Sequence, residues 1–200
     1  MNYAIIPAAG RSSRLGRGKA LLPLGGATVI DVLTGRLCRG GIDSTTVVVA
    51  AGDDHLLAHC AAAGVQVIVN HHPESGMLPS IQLGHRALGG ALADDDIVLV
   101  CPVDYPAVRP ETVRRILTAL SELEAEAVVP STGGRRGHPL ALSAPTSSAI
   151  HELDAAIGLR QLLRRVAALE IEVDDPAIHR DLDTWSDYAD LVAQLAREEQ

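Results

Sequence analysis

The chain has 200 residues, 47% hydrophobic and only 2% aromatic, with no Phe, and a formal net charge of −8. That length and apolar content suit one domain with one core, and the acidic balance excludes a protein built to hold a nucleic-acid backbone, which needs a basic face. The 3 Cys, none in CxxC spacing, support neither a disulfide framework nor a zinc knuckle and fit a reduced cytoplasm. No apolar stretch approaches the roughly 18 to 20 residues that cross a bilayer.

In chain order, residues 2–8 form a short apolar run that ends before Gly10. With no basic leader ahead of it, this run reads as a core strand rather than an export signal. Further strand-length runs follow at 45–50, 65–70, 97–103, 127–131 and 169–173, with stretches of helical period between most of them. The clearest helix is 111–123, where Val113, Ile116, Leu117 and Leu120 make one apolar stripe and Pro110 sits at a natural first-turn position. The strands are continuous apolar runs rather than alternations, as in a parallel sheet buried on both faces.

The expected fold class is therefore α/β: a three-layer α/β/α domain around a mostly parallel sheet. No repeat or linker divides it, so 1–200 reads as one unit. After residue 131 a turn-rich segment, 131–139, and a short apolar run, 139–144, predict a small antiparallel element, and 159–166 resumes helical spacing. A last helix from about Ser186 places Tyr188, Leu191, Val192 and Leu195 on one side, with Trp185 just ahead of it.

In open α/β sheets ligands bind beyond the carboxyl ends of the strands. The loop after the first strand puts Arg11, Arg14, Arg17 and Lys19 into nine positions of an otherwise acidic chain. Gly10, Gly16 and Gly18 allow close backbone approach, so the loop fits a polyphosphate better than a solvated basic turn. It is not a P-loop, because five residues separate Gly10 from Gly16 and Ala20 follows Lys19, and it is not GxGxxG.

Asp104 closes the 97–103 run and could hold Mg²⁺, which takes one or two protein carboxylates and completes its shell with water and substrate phosphates; a turn or cap before the Pro110 helix is the plainer role. In the acidic run Asp174, Asp175, Asp181, Asp183 and Asp187, alternation puts Asp181 and Asp183 on one side of an extended segment. Asp183 could complete a metal site, although by itself the run reads as solvated loop charge. A long loop at 70–80, with Asn70, Gly76 and Ser80, could contact a base or ribose. His55 and His59 have helical metal-pair spacing but no evident third ligand. No G-x-S-x-G elbow and no base-partnered Cys supports covalent catalysis.

The motif Ala8-Ala9-Gly10-x-Ser12-x-Arg14-x-Gly16-x-Gly18-Lys19, followed by Leu21-Leu22-Pro23-Leu24, resembles the nucleotide-binding signature of the MobA-like nucleotidyltransferases, and within them looks most like the molybdenum cofactor cytidylyltransferases. The stretches 70–84, Val103-Asp104-Tyr105-Pro106, Gly134-Arg135-Arg136-Gly137-His138-Pro139 and Asp181-Leu182-Asp183-Thr184 follow in the family's order, so nearly the whole chain is covered. Two departures stand out: Gly76-Met77-Leu78-Pro79-Ser80 replaces the family's Gly-Met-Ser-Ser-Ser, and Trp185 stands where the family has Pro.

The resemblance implies a Rossmann-like fold of the nucleotide-diphospho-sugar transferase type. It implies Mg²⁺-dependent transfer of a nucleoside monophosphate, with CTP favoured and GTP possible, to a phosphorylated acceptor of molybdopterin type, releasing pyrophosphate. Ala8, Ala9, Gly10, Ser13, Asn70, Gly76 and Ser80 would bind the nucleotide. Arg14, Lys19 and Asp104 would be catalytic, Asp104 and Asp183 would hold Mg²⁺, and Arg135, Arg136 and His138 would line the acceptor side. Read alone, Arg135 and Arg136 are equally a solvated turn. A molybdoenzyme or its chaperone would receive the product, with no nucleic-acid or membrane partner. The alternatives are a sugar- or alcohol-phosphate nucleotidyltransferase, which would share the first loop and both aspartates; an NAD(P)-dependent oxidoreductase, against which the missing GxGxxG counts; and a nucleotide-binding module without turnover.

Overall fold

The computed structural model describes residues 1–10, 18–90 and 92–198. Among these, the elements run β1 (Asn2–Pro7), β2 (Pro23–Leu24), β3 (Ala27–Thr28), α1 (Val29–Arg39), β4 (Ser44–Ala50), α2 (Asp54–Ala62), β5 (Gln66–Asn70), α3 (Met77–Ala87) and β6 (Ile97–Val100). Then follow α4 (Pro110–Glu122), β7 (Ala127–Thr132), β8 (Arg135–Arg136), β9 (Leu140–Ser143), α5 (Ala144–Ser148), α6 (Arg160–Arg165), β10 (Ala168–Glu172) and α7 (Trp185–Glu198). Strand order in the main sheet is β5-β4-β1-β6-β9-β7-β10, with β8 paired to β7.

β1 lies between β4 and β6 and is parallel to both. Its side chains divide strictly by parity, as the pleat requires. Ala4 and Ile6 enter a cluster with Leu33 of α1, Leu56 of α2, Ile116 of α4 and Leu191 of α7, whereas Ile5 packs with Val48, Val98 and Leu83 of α3 on the other face. That second face continues through Ile81 of α3, Leu142 of β9, Ile150 and Leu162 of α6. Both faces of the sheet are therefore covered, and the three-layer architecture read from the continuous apolar runs is what forms.

The expected antiparallel element forms as β9, which lies inside the sheet, antiparallel to β6 on one side and β7 on the other. Three local readings need correction. The 97–103 run is strand only over β6, because Pro102 cannot donate to a ladder and the chain turns at Asp104. The 70–80 loop is shorter than expected, since α3 already starts at Met77; Pro79 is tolerated because a first-turn N–H has no helical acceptor. The last helix starts at Trp185, and of its expected stripe Leu191 and Leu195 are buried while Val192 is 40% exposed.

His59 has a structural role. Thr28 and Asp31 form a reciprocal capping box at the start of α1, and His59 Nε2 reaches Asp31 Oδ1 at 2.8 Å. The imidazole thus ties α2 to the cap of α1. The three cysteines are free thiols.

Two predictions follow from this packing. Gly84 lets α3 lie directly on the sheet: a methyl there would stand 2.5 Å from Ile5 Cγ2 and 3.1 Å from Val48 Cγ2. Gly84→Ala, despite the better helix propensity of Ala, is expected to lower stability by about 1–2 kcal/mol, read as a drop in Tm. In the last turn of α3, His85 Nδ1 is 3.0 Å from His151 Nε2 and its Nε2 is 2.8 Å from Ser147 Oγ. Burial first, then His151 and Arg86, push the His85 pKa down to about 4. Because the unfolded chain takes up this proton near pH 6.5 and the folded chain does not, stability should be full above that pH and fall as pH drops toward 4. Thermal melts of His85→Gln across this range should show a shallower slope.

Candidate active site

One long segment carries the site together. Leaving β10, residues 173–183 cross the carboxyl edge of the sheet, tied down at successive strands. Val173 N–H donates to Ser131 O beside β7. The buried Asp175 accepts from Arg109 N–H at 2.9 Å, Thr112 Oγ1 at 2.7 Å and Ala177 N–H at 3.1 Å, which pins the segment to the start of α4. His138 N–H donates to Ile178 O at 2.9 Å, and Leu182 N–H donates to Asp104 O at 2.8 Å. Burial of Leu182 turns its neighbours, Asp181 and Asp183, outward.

The crossing delivers Asp183 to the loop that follows β1. Lys19 Nζ lies 2.8 Å from Asp183 Oδ1 and 3.6 Å from Asp104 Oδ2. The three charged groups expected to act together from distant parts of the chain do meet. Burial raises the Asp104 pKa, Lys19 opposes that rise, and Asp183 and Asp181 reinforce it. A half-desolvated carboxylate facing two others is unstable without cations, and Lys19 is one.

The same two carboxylates fit a divalent ion. Asp104 Oδ1 is buried and accepts no hydrogen bond among the described residues, so a charged oxygen is left with unspent capacity. Asp183 is 39% exposed and can share a hydrated ion. Two carboxylates from separate segments are the oxygen donors that Mg²⁺ or Mn²⁺ takes, with water and substrate phosphates completing the shell.

Beside Lys19 opens a cavity of about 230 Å³, lined by Ala9, Gly10, Lys19, Gly76, Met77, Ser80 and Asp104 among others. Gly76, at φ +94° and ψ −173°, holds a conformation open to glycine and lets α3 begin at the cavity wall with no side-chain cap. An uncapped helix start offers N–H donors and a positive field to an electron-rich ligand.

Of the expected nucleotide residues, Ala9, Gly10, Gly76 and Ser80 line this cavity. Ala8 is next to them, but its N–H is spent on Val48 O. Asn70 is 1% exposed; its amide donates to Ser80 Oγ at 2.9 Å and accepts from His72 N–H at 2.8 Å, so it braces the wall. Ser13 and Arg14 lie outside the described residues. Met77 and Val103, from stretches that the sequence marks without assigning them a role, also line the cavity; the Pro-containing start of α3 hides from the sequence the helix that presents Met77.

His138 reaches the site edge because β9 runs antiparallel, which brings its preceding residue to the carboxyl ends of the parallel strands. Its ring packs on Tyr105 with centroids 4.4 Å apart. Burial lowers the His138 pKa, with Asp181 opposing and His179 adding to the shift. The Tyr105 hydroxyl is pushed up to about 12 by burial and then by the nearby carboxylates. Arg135 and Arg136 sit on the exposed β7–β8 hairpin, and Arg136 is paired with Glu170 of β10 at 2.7 Å. Of the acidic run, Asp175 is buried, and Asp187, partly open to solvent, caps α7.

Compared with known proteins, residues 4–171 match the family described as the MobA-like NTP transferase domain. A protein of Paenarthrobacter nicotinovorans named nicotine blue oxidoreductase is 30% identical over 194 residues, covering 90% of this chain and 91% of that protein. A probable molybdenum cofactor guanylyltransferase of Mycobacterium avium is 33% identical over 139 residues, 68% of this chain and 66% of that protein. A solved Mycobacterium tuberculosis structure superposes with a TM-score of 0.81 at 27% identity, covering 96% of this chain and 97% of that one. A manganese complex of the same mycobacterial protein superposes with a TM-score of 0.75 at 24% identity, covering 96% of this chain and 98% of that one.

The cap of α7 gives a test of the site's scaffold. Asp187 Oδ2 accepts from Thr184 N–H at 2.7 Å and Asp183 N–H at 3.2 Å, while Asp187 N–H donates to Thr184 Oγ1 at 3.2 Å. The Asp187 pKa is lowered, chiefly by the Thr184 hydroxyl. Its contribution is therefore present above the unfolded value near 3.9 and lost as pH falls through the lower folded one. Asp187→Ala should cost about 1 kcal/mol at neutral pH, measured by denaturant unfolding, and the difference should close in acid.

Proposed function

This chain belongs to the MobA-like NTP transferase domain family, and on that premise we propose that it transfers a nucleoside monophosphate from a nucleoside triphosphate to a phosphorylated acceptor of molybdopterin type, releasing pyrophosphate. The observation that carries this reading is the meeting of Lys19, Asp104 and Asp183 at the mouth of a cavity lined by Ala9, Gly10, Gly76 and Ser80. The name of the mycobacterial relatives, guanylyltransferase, favours GTP; the Ala-Ala-Gly start and the Gly-Met segment resemble the CTP-using members. We take GTP as the first candidate and CTP as the second.

In the proposed reaction an acceptor phosphate oxygen forms a bond to the α-phosphorus, and the bond from that phosphorus to the oxygen bridging to the β-phosphate breaks. The nucleophile is already an anion, so no strong base is required, and the work falls on positioning and charge neutralisation. Lys19 sets an ammonium where triphosphate charge must be met, and Arg14, from its place in the same loop, would add a guanidinium. Asp104 and Asp183 would hold Mg²⁺ or Mn²⁺, which when bound supplies positive charge to phosphate oxygens. The manganese complex of the mycobacterial neighbour supports a divalent requirement. The start of α3 and the Gly10 backbone would hold the nucleoside, and His138 with Tyr105 would wall the acceptor side. A molybdoenzyme or its chaperone would be the natural recipient of the product.

One observation favours a second reading: the relative named nicotine blue oxidoreductase matches nearly the full length of both chains. As a nicotinamide-dependent oxidoreductase the protein would bind NAD(P)H tightly without Mg²⁺, with no need for two carboxylates around Lys19.

Pyrophosphate release, measured with each of the four nucleoside triphosphates and molybdopterin, should occur only with a divalent ion and most with GTP; NADPH oxidation in place of release would overturn the transfer reading. Lys19→Ala should lower turnover by roughly 10²- to 10³-fold with the thermal transition retained. Turnover equal to wild type would remove Lys19 from the reaction.

A further inference from the structure

Resting on the transfer reading for the identity of the acceptor, we propose that Trp185 is the stacking face for the acceptor's planar ring, a fused heteroaromatic of pterin type. Trp185 is the sole tryptophan in a chain that is 2% aromatic, yet it is 51% exposed. A large aromatic ring half open to water offers a face on which a flat ligand can stack. It opens α7 two residues beyond Asp183, whose carboxylate faces Lys19 at 2.8 Å.

The ring is exposed but not loosely mounted. Below it the Thr184–Asp187 capping box holds the backbone. The edge of Tyr188 meets the indole at 5.7 Å between centroids and 85° between planes. The Tyr188 hydroxyl donates to Pro23 O, and Pro23 follows the 3₁₀ turn Lys19–Leu21. One side of the indole is therefore braced against the segment that positions Lys19, and the rest is open. A fixed aromatic plane loses little entropy when a flat ligand stacks on it.

Position selects the substrate. The cavity between Gly10 and the start of α3 is lined by Lys19 and Asp104, and Asp183, two residues before Trp185, reaches Lys19 at 2.8 Å without being part of that lining among the described residues. A second substrate that brings its phosphate to Lys19 from the α7 side meets Trp185 with its ring. Pro, the family's residue at this point, offers no such plane.

Since Trp185 is the only tryptophan, intrinsic emission reports on this ring alone. Titration of the intact protein with 6-hydroxymethylpterin should give saturable quenching. In steady-state assays with molybdopterin, Trp185→Ala should raise the acceptor KM by about 10- to 100-fold with the nucleotide KM and kcat near wild type, and Trp185→Phe should restore most of the loss. Absence of saturable quenching, or a wild-type acceptor KM in Trp185→Ala, would overturn the platform. Saturable quenching without pyrophosphate release would sink the transfer reading and leave the platform standing, whereas release with an unchanged acceptor KM would sink the platform alone.

Discussion

Two carboxylates held around one ammonium are the constraint on which this molecule turns. Like charges brought together out of bulk water repel, so a chain that gathers Asp104 and Asp183 at one edge must place a cation with them. Lys19 does this from the opposite end of the sequence. Two carboxylates gathered at one edge are hard oxygen donors of the kind a divalent ion takes.

The gathering is mechanical as well as electrostatic. Parallel β1 and β6 place the ends of two loops side by side, which accounts for Lys19 and Asp104. Asp183 comes from outside that pair, along a segment anchored at β7, α4, His138 and Asp104 in turn. Every anchor is a backbone or buried polar hydrogen bond, each satisfied where water is scarce. Asp175 serves the segment by accepting three hydrogen bonds while almost fully buried, and Arg36 does similar work on the other side, donating to Ala107 O at 2.6 Å to hold the loop after Asp104. The antiparallel course of β9 adds His138 to the same edge. A parallel strand there would have sent that residue to the opposite end of the sheet.

Several parts of this were open to reading from residues alone. The apolar runs of β1, β4, β5, β6 and β7 announce a sheet buried on both faces, and the motif from Ala8 to Leu24 announces the family. Asp175 and Asp187 show where such reading fails. In the sequence they are two more acids in a charged stretch, yet one is a buried anchor and the other a helix cap, because their roles depend on N–H groups whose position no local pattern reveals. Met77 was hidden for a different reason: Pro79 so close to a glycine signals a loop, and only the tolerance of a helix's first turn for proline makes it a helix start.

The sequence by itself determined the fold class and, through its motifs, the family, since these rest on periodicity, composition and short residue patterns, which are local properties. Tertiary structure alone decided that Asp183 joins Asp104 at Lys19, that β9 lies inside the sheet, and that Trp185 stands braced beside the site. The first and last of those outcomes hang on hydrogen bonds between residues 164 and 165 positions apart, and contacts at that separation are chosen by how whole layers pack, a choice no short window of residues contains.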